Sequence, residues 1–142
     1  MTEYRVIKFK GWHVELLQEA GLSEPGRPKL DVPTLGYMER ENSWTILAND
    51  RPILCGGTIK LWEGRYCAWS YLSADSGPHM RKVTRETIRH LNEVEGRVEM
   101  SVRCDFPLGH KWAKMLGFEV ETPLMKKYGP SGEDHVGYVR FR

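Results

Sequence analysis

A turn followed by a basic helix carries the clearest chemical signal in the sequence. Aromatic and apolar residues fill the stretch Arg65–Leu72, which predicts a strand, and the Gly and Pro of residues 73–78 predict the turn that ends it. Apolar residues then recur at helical spacing from Met80 to Leu91, which predicts a helix. The start of a helix offers unpaired backbone N–H groups and the positive end of its dipole, so this junction is suited to bind phosphate.

Three cations stand near the predicted helix start, namely Arg81, Lys82 and Arg85. Positive charge at a helix N-terminus opposes the dipole and costs stability, so an anion nearby would account for these residues. The turn contributes its one glycine, Gly77, and also His79, whose ring can donate to an oxygen. Basic residues on a helix are also commonly a solvated face, and both interpretations stay open from this stretch alone.

A second informative segment is a strand at residues 98–103 followed by a short helix. Asp105 can cap that helix, Pro107 is tolerated in its first turn, and Gly117 can take the left-handed conformation that ends it. With the sequence Leu116-Gly117-Phe118-Glu119 at its end, this order of elements resembles the closing segment of the GNAT (Gcn5-related N-acetyltransferase) superfamily. The resemblance covers the larger, C-terminal part of the chain.

The resemblance implies an α+β fold for a single domain at residues 1–142, with a mixed, mostly antiparallel twisted sheet and helices on both of its faces. It also implies that Arg65–Leu72 and residues 98–103 form a parallel pair, splayed at one end into a slot for the pantetheine arm of acetyl-CoA. The chain has the crossover length that a parallel pair needs. The residues expected at the coenzyme site are Trp69, Ser70, Tyr71, Gly77, His79, Arg81, Lys82 and Arg85.

The phosphate-binding loop departs from the family pattern. Active members carry a Gln/Arg-x-x-Gly-x-Gly/Ala loop whose successive N–H groups hold the coenzyme A pyrophosphate, and the nearest match here is residues 75–81. Pro78 has no N–H to donate, Met80 stands where a small residue is expected, and Asp75 places a negative charge near the phosphates. Side-chain contacts from the three cations can compensate.

Within the superfamily, the chain resembles the small GNAT-like internal-core or assembly proteins of T7-type bacteriophages. The stretch Ser76-Gly77-Pro78-His79-Met80, the dense Trp and Tyr content and the chain length carry this second resemblance. It implies a host or virion protein as partner, and the host cytoplasm or the virion as location.

Acetyl transfer to an amine needs a neutral amine and a proton donor for the departing thiolate. Tyr128 is the candidate acid, because family members often place a tyrosine after the closing short helix, and the alternative is a tyrosine packed at a strand end. Glu41 or Glu39 is the candidate base, although acidic residues on a short helix usually face solvent. Two functions follow: an acetyl-CoA-dependent N-acetyltransferase, or a non-catalytic GNAT-fold module for virion assembly or protein interaction.

The composition of the chain argues against several other classes of protein. A chain of 142 residues suits one domain with a real core, and 40% hydrophobic residues argue against disorder. The formal net charge of +2 argues against a general nucleic-acid binder. We expect no membrane span, because no apolar run approaches the ~20 residues required. No disulfide framework or metal site is expected, because the cysteines form no C-x-x-C pair and the histidines show no ligand spacing.

The remaining elements are predicted from periodicity and turn residues. A strand at residues 4–9 precedes a helix whose inward face carries Trp12, Leu16 and Ala20 and which ends at Gly21. The polar stretch 23–29 is a loop that wanders over the surface or orders on a partner. A helix at 34–42 should bury Leu35 and Met38. Two hairpins follow, one at 44–62 with a bulge or a close approach at the paired glycines 56–57, and one at 119–141.

Overall fold

The computed structural model describes residues 1–142 and contains seven strands, four α-helices and one short 3₁₀ turn. The elements in chain order are β1 Tyr4–Lys8, α1 Gly11–Ala20, α2 Val32–Arg40, β2 Asn42–Ala48, β3 Arg51–Trp62, β4 Arg65–Leu72, the 3₁₀ turn Gly77–His79, α3 Met80–Leu91, β5 Arg97–Arg103, α4 Pro107–Met115, β6 Glu119–Met125 and β7 His135–Phe141. No helix is long and apolar enough to cross a membrane.

The strands form one mixed sheet in the order β1-β2-β3-β4-β5-β7-β6. Its parallel pair is β4 with β5, and the ladder holds three residue pairs, from Arg65 opposite Arg97 to Cys67 opposite Glu99. The expected fold class, α+β with a mostly antiparallel sheet and one parallel pair, is therefore confirmed. A ladder of only three pairs results when two neighbouring strands separate after a few residues.

The chain divides into two compact units. The first comprises Met1–Ile59 and Ala68–Val83, and the second comprises Lys60–Cys67 and Thr84–Arg142. The first unit has a core in which α1 and α2 pack on the sheet, built from Phe9, Val14, Leu17, Leu35, Met38, Cys55 and Tyr71.

Helix α1 presents a different face to this core from the one predicted. Trp12 is 59% exposed and Leu16 is 41% exposed, whereas Val14 and Leu17 are buried. His13 is buried with them, and its ring nitrogen Nδ1 lies 2.7 Å from the hydroxyl of Thr45. The predicted inward face of α1 is therefore wrong. The polar residue His13 lies on the buried face, because a hydrogen-bond partner distant in sequence, Thr45, satisfies its ring there.

Helix α2 agrees with its prediction, since Leu35 and Met38 are both buried. The close approach expected at the paired glycines is also present: a Cβ on Gly57 would lie 2.8 Å from the indole of Trp69. The register irregularity in this hairpin falls elsewhere, between Ile46 and Leu47.

In the second unit, α4 ends as the sequence predicts. Gly117 has φ +90°, its N–H donates to the carbonyl of Lys114, and the N–H of Phe118 donates to that of Ala113. This pair of bonds is the Schellman motif, and Phe118 beyond it is buried. The predicted cap at Asp105 is wrong, because its carboxylate binds Arg103 instead and the residue at the N-cap is not Asp105.

Candidate functional site

The edge of β4 beyond its ladder with β5 is covered by the segment that follows α1. The N–H of Ser73 donates to Ile53 of β3, so by strand alternation Ser70 and Leu72 direct their backbone groups to the opposite edge. On that edge the carbonyl of Leu72 accepts the N–H of Ser23 at 2.9 Å. The backbone around Ser70, expected to hold a pantetheine arm, therefore already has neighbours from this chain.

Arg27 is the side chain that fastens this segment. Its Nη1 donates to the carbonyl oxygen of Ser70 at 2.8 Å, and its guanidinium carbon lies 3.8 Å from the ring centroid of Tyr71. Glu24 binds the same Nη1 at 3.0 Å. The loop predicted to wander is thus ordered by contacts within the first unit. No local sequence signal could have paired Arg27 with a strand so far along the chain.

The turn after β4 uses most of its own N–H groups. Only the N–H of Gly77 is left without a hydrogen bond, since Pro78 has none to donate. Ser73 and Ala74 donate to the carbonyls of Ile53 and Gly21, outside the turn. The other donors bind inside the turn: Asp75 to the hydroxyl of Ser73, Ser76 to the carbonyl of Ser73, His79 to that of Ser76 and Met80 to that of Gly77. A cradle of successive free N–H groups is therefore not formed here. A Cβ on Gly77 would meet nothing within 4 Å, so packing does not require glycine there.

The cationic residues at the start of α3 differ in their surroundings. Arg81 and Arg85 are exposed and form no ion pair within the protein. Lys82 is half-buried, with Nζ 5.9 Å from the ring of Tyr4. The ring of His79 is held by the same tyrosine, whose hydroxyl lies 2.8 Å from its Nδ1. The two arginines are thus the groups that remain available to an anion.

Trp69 serves the core. Its ring centroid lies 5.0 Å from that of Phe9 and 6.2 Å from that of Tyr71, and it rests against Gly57. The indole Nε1 is buried and has no hydrogen-bond partner. That unpaired donor costs free energy, which the close packing of the ring against the glycine offsets.

The candidate bases of α2 lie at helix ends. Glu39 accepts the N–H of Gly11 at 3.1 Å, which caps the start of α1. Glu41 is the C-cap of α2, and its carbonyl oxygen accepts Lys8 Nζ at 2.6 Å. Burial lowers the pKa of that lysine, while the charges of both glutamates oppose the change. Glu41 lies in the first unit and Tyr128, the candidate acid, lies in the second.

Tyr128 stands beside a histidine that the sequence did not single out. Its side chain is 59% exposed, and its ring centroid lies 5.2 Å from that of His135. The Nδ1 of His135 is 3.0 Å from the hydroxyl of Ser101, and its Nε2 is 3.4 Å from the carboxylate of Glu133. These residues lie on β5, on β7 and in the loop before β7, so only the strand register brings them together.

A buried polar chain in the first unit is closed to ligands. His13 is 2% exposed, and burial is the main cause that lowers its pKa. The hydroxyl of Thr45 bridges it to Cys55, whose sulfur lies 3.6 Å away. Burial raises the pKa of Cys55 to about 12, so its thiol is protonated and unreactive at neutral pH.

Known proteins resemble this chain in structure. No family model matches the sequence, and no curated protein matches it. The Escherichia coli ribosomal-protein-S18-alanine N-acetyltransferase is similar with a TM-score of 0.76 at 13% identity, over 97% of this chain and 93% of that one.

Two further solved structures are similar to this chain to nearly the same degree. A putative acetyltransferase of Acinetobacter baylyi has a TM-score of 0.75 at 12% identity, over 100% of this chain and 94% of its own. Ard1 of Thermoplasma volcanium has a TM-score of 0.74 at 12% identity, over 96% of each chain. At such identities the likeness establishes architecture alone, and the chain has the fold of the GNAT acetyltransferases.

Proposed function

We propose that this protein is an N-acetyltransferase that moves an acetyl group from acetyl-CoA to an amine. One observation carries the proposal: on a fold shared with acetyltransferases, Arg81 and Arg85 project from α3 without any ion pair of their own. Exposed guanidinium groups at a helix start are costly next to the dipole and well suited to phosphate oxygens. The coenzyme supplies the activated acetyl group when it binds.

The residues present fit that coenzyme by a route other than a glycine-rich loop. Arg81, Arg85 and Lys82 would hold the phosphates through side chains, together with the free N–H of Gly77. To reach the β4 backbone at Ser70, the pantetheine arm would have to displace Arg27 from the carbonyl oxygen of that residue. Phosphate recognition would then depend on side-chain charge more than on backbone donors.

The acceptor belongs to the class of amines. Among the similar structures, one enzyme is named for the alanine of ribosomal protein S18 and another for that of S5. By analogy we propose a protein amine as acceptor here, on a host or virion protein of a T7-type phage infection, in the host cytoplasm or the virion. Nucleic acid and membrane are not proposed as partners.

A second candidate function rests on the closed turn. Because the N–H groups after β4 bind inside the turn and Arg27 holds the carbonyl of Ser70, this chain offers less to a coenzyme than a backbone cradle would. These contacts count against coenzyme binding, and we propose as the alternative a non-catalytic GNAT-fold module that binds a virion protein during assembly.

Coenzyme binding separates the two candidates. If the protein is an enzyme, acetyl-CoA at one hundred times its dissociation constant stabilises the fold by ~2.7 kcal/mol, which thermal denaturation detects. Native mass spectrometry of protein purified from cells shows a retained coenzyme directly. No thermal shift at millimolar acetyl-CoA would overturn the enzyme and leave the assembly module.

Charge variants then test the route of binding. Arg81→Ala and Arg85→Ala should each weaken acetyl-CoA binding by roughly 1 to 3 kcal/mol, measured by calorimetry, because each removes charge-assisted hydrogen bonds. Arg5→Ala is the matched control, since Arg5 is an exposed arginine on β1 that pairs with Asp50. Equal affinities for all three variants would show that the start of α3 is an ordinary solvated face.

A further inference from the structure

Strand β5 carries its polar residues on one of its two faces. Along β5, the side chains of Glu99, Ser101 and Arg103 alternate with those of Val98 and Val102, which are buried. Alternation places the three polar residues together on the opposite face. Ser101 is therefore flanked along its strand by Glu99 and Arg103, and it lies opposite Gly137 of β7.

His135 is fixed at both ring nitrogens on that face. A carboxylate only accepts hydrogen bonds, so the nitrogen near Glu133, Nε2, carries the proton. In the neutral ring Nδ1 is then the acceptor, and the hydroxyl of Ser101, 3.0 Å away, is its donor. This order, hydroxyl to imidazole to carboxylate, is the one in which a histidine can take a proton from a serine.

The loop before β7 is shaped around the carboxylate. Ser131 donates its N–H to Glu133 at 2.9 Å, and the N–H of Gly129 donates to the carbonyl of Glu133 at 3.0 Å. A Cβ on Gly129 would lie 1.8 Å from Oε1 of that carboxylate, so only glycine permits this position. Hydrogen bonding to its own N–H, with smaller contributions from His135 and Ser131, lowers the pKa of Glu133 and keeps it ionised.

We infer that Ser101, His135 and Glu133 form a proton relay that removes the proton from the acceptor amine. The inference rests on the proposed acetyl transfer and names its base, in place of the glutamates of α2. A simple cross-strand hydrogen bond would need only Ser101 and His135. The carboxylate, the glycine that admits it and the adjacent exposed Tyr128 are the additional parts that proton transfer requires.

The proton transfers in this step form a closed cycle. As the amine nitrogen bonds to the acyl carbon, Ser101 accepts the amine proton at Oγ and passes its own proton to Nδ1 of His135. Glu133 stabilises the imidazolium through Nε2–H. Tyr128 donates its phenolic proton to the thiolate released when the C–S bond breaks. The imidazolium then returns a proton, through solvent, to the phenolate.

Two acetyl donors test the relay. Wild-type protein, Ser101→Ala, His135→Gln, Glu133→Gln and Gly129→Ala would be assayed with acetyl-CoA and with p-nitrophenyl acetate, which needs no phosphate site. The acceptors are a peptide with a free N-terminal alanine and Nα-acetyl-lysine amide. His90→Gln is the matched control, because His90 lies on α3, where its Nδ1 is 2.8 Å from the carbonyl oxygen of Glu86.

Removing Ser101 or His135 should lower kcat/KM by about 10²- to 10⁴-fold with either donor, the usual contribution of general base catalysis. Gly129→Ala keeps every reacting group but displaces the carboxylate, so a loss there shows that placement matters. Thermal shift with acetyl-CoA should stay as in wild type for all variants.

Nitrogen NMR of the histidine rings gives a readout without turnover. The relay requires the tautomer of His135 with the proton on Nε2 and Nδ1 bare, and the opposite tautomer overturns it. Unchanged rates in the variants overturn it as well, as does a wild type that uses neither donor. Transfer from p-nitrophenyl acetate alone supports the relay and removes acetyl-CoA from the proposed function.

Discussion

Arg27 should stabilise the first unit more than any exposed arginine does, and Arg27→Ala measures by how much. Three contacts disappear together in this variant: the hydrogen bond to the carbonyl of Ser70, the stacking over Tyr71 and the ion pair with Glu24. The side chains of Arg27 and Glu24 are only 24% and 21% exposed, so solvent screens the pair incompletely.

The expected magnitude follows from these contacts. A hydrogen bond from a charged donor contributes about 1.5 to 3 kcal/mol, and a cation over an aromatic ring about 0.5 to 2 kcal/mol. Releasing the arginine restores up to about 2 kcal/mol of side-chain entropy, which offsets part of the loss. We expect the free energy of unfolding to fall by about 2 kcal/mol, which lowers Tm by roughly 4 to 8 °C for a chain near this size.

Arg5→Ala is the matched comparison for this experiment. Its ion pair with Asp50 is as short, 2.8 Å, but the two side chains are 54% and 81% exposed. Such a pair contributes about 0 to 1 kcal/mol. Urea denaturation of both variants gives the two losses, and hydrogen exchange should show faster opening of residues 22–30 in Arg27→Ala alone. Equal losses would refute the claim that burial of Arg27 decides its contribution.

Substitutions at four further positions have definite expected outcomes. Gly57→Ala should cost about 1 to 3 kcal/mol by thermal denaturation, because its Cβ would lie 2.8 Å from the Trp69 indole, while Gly77→Ala, with open space around it, should not destabilise. Gly117→Val should cost about 2 to 4 kcal/mol and Gly117→Asn far less, since φ is +90° there; equal Tm values would contradict the cap. Hydrogen bonds from Arg65, then Arg97, lower the pKa of Glu99 below its ordinary 4.5. Its stabilisation is therefore present above pH 4.5 and lost as pH falls further, so the deficit of Glu99→Gln in urea melts should shrink in acid.

The sequence predicted the elements whose causes are local. Gly117 ends α4 and Leu35 and Met38 are buried, because a cap and an apolar spacing act within a few residues. The inward face of α1 was not predictable in the same way. His13 is buried because Thr45 on β2 satisfies its ring, and that partner becomes adjacent only when the helix packs on the sheet.

The residues of the candidate site also fall into a group that is contiguous in sequence and a group that only the fold brings together. The turn and the cations of α3 are contiguous in sequence, so pattern and resemblance could locate them. Ser101 and His135 are separated by 34 positions, and only the antiparallel register of β5 and β7 places them in contact. Arg27 and Ser70 are likewise 43 positions apart. Groups assembled across strands leave no periodic signal that a sequence reading can detect.

Phosphate recognition by backbone N–H groups and phosphate recognition by arginine side chains respond differently to salt. Phosphate binding by backbone N–H groups would be little affected by ionic strength, but here these groups already donate to carbonyl and hydroxyl oxygens of this chain, and only the N–H of Gly77 is free. If Arg81 and Arg85 supply the affinity instead, they do so from exposed positions where the Debye length, about 8 Å at physiological ionic strength, limits their reach. Acetyl-CoA affinity measured by calorimetry should then fall steeply between low and high salt in wild type, and the slope should flatten in Arg81→Ala. Binding that is tight and insensitive to salt would mean that the backbone, not the two arginines, recognises the phosphates.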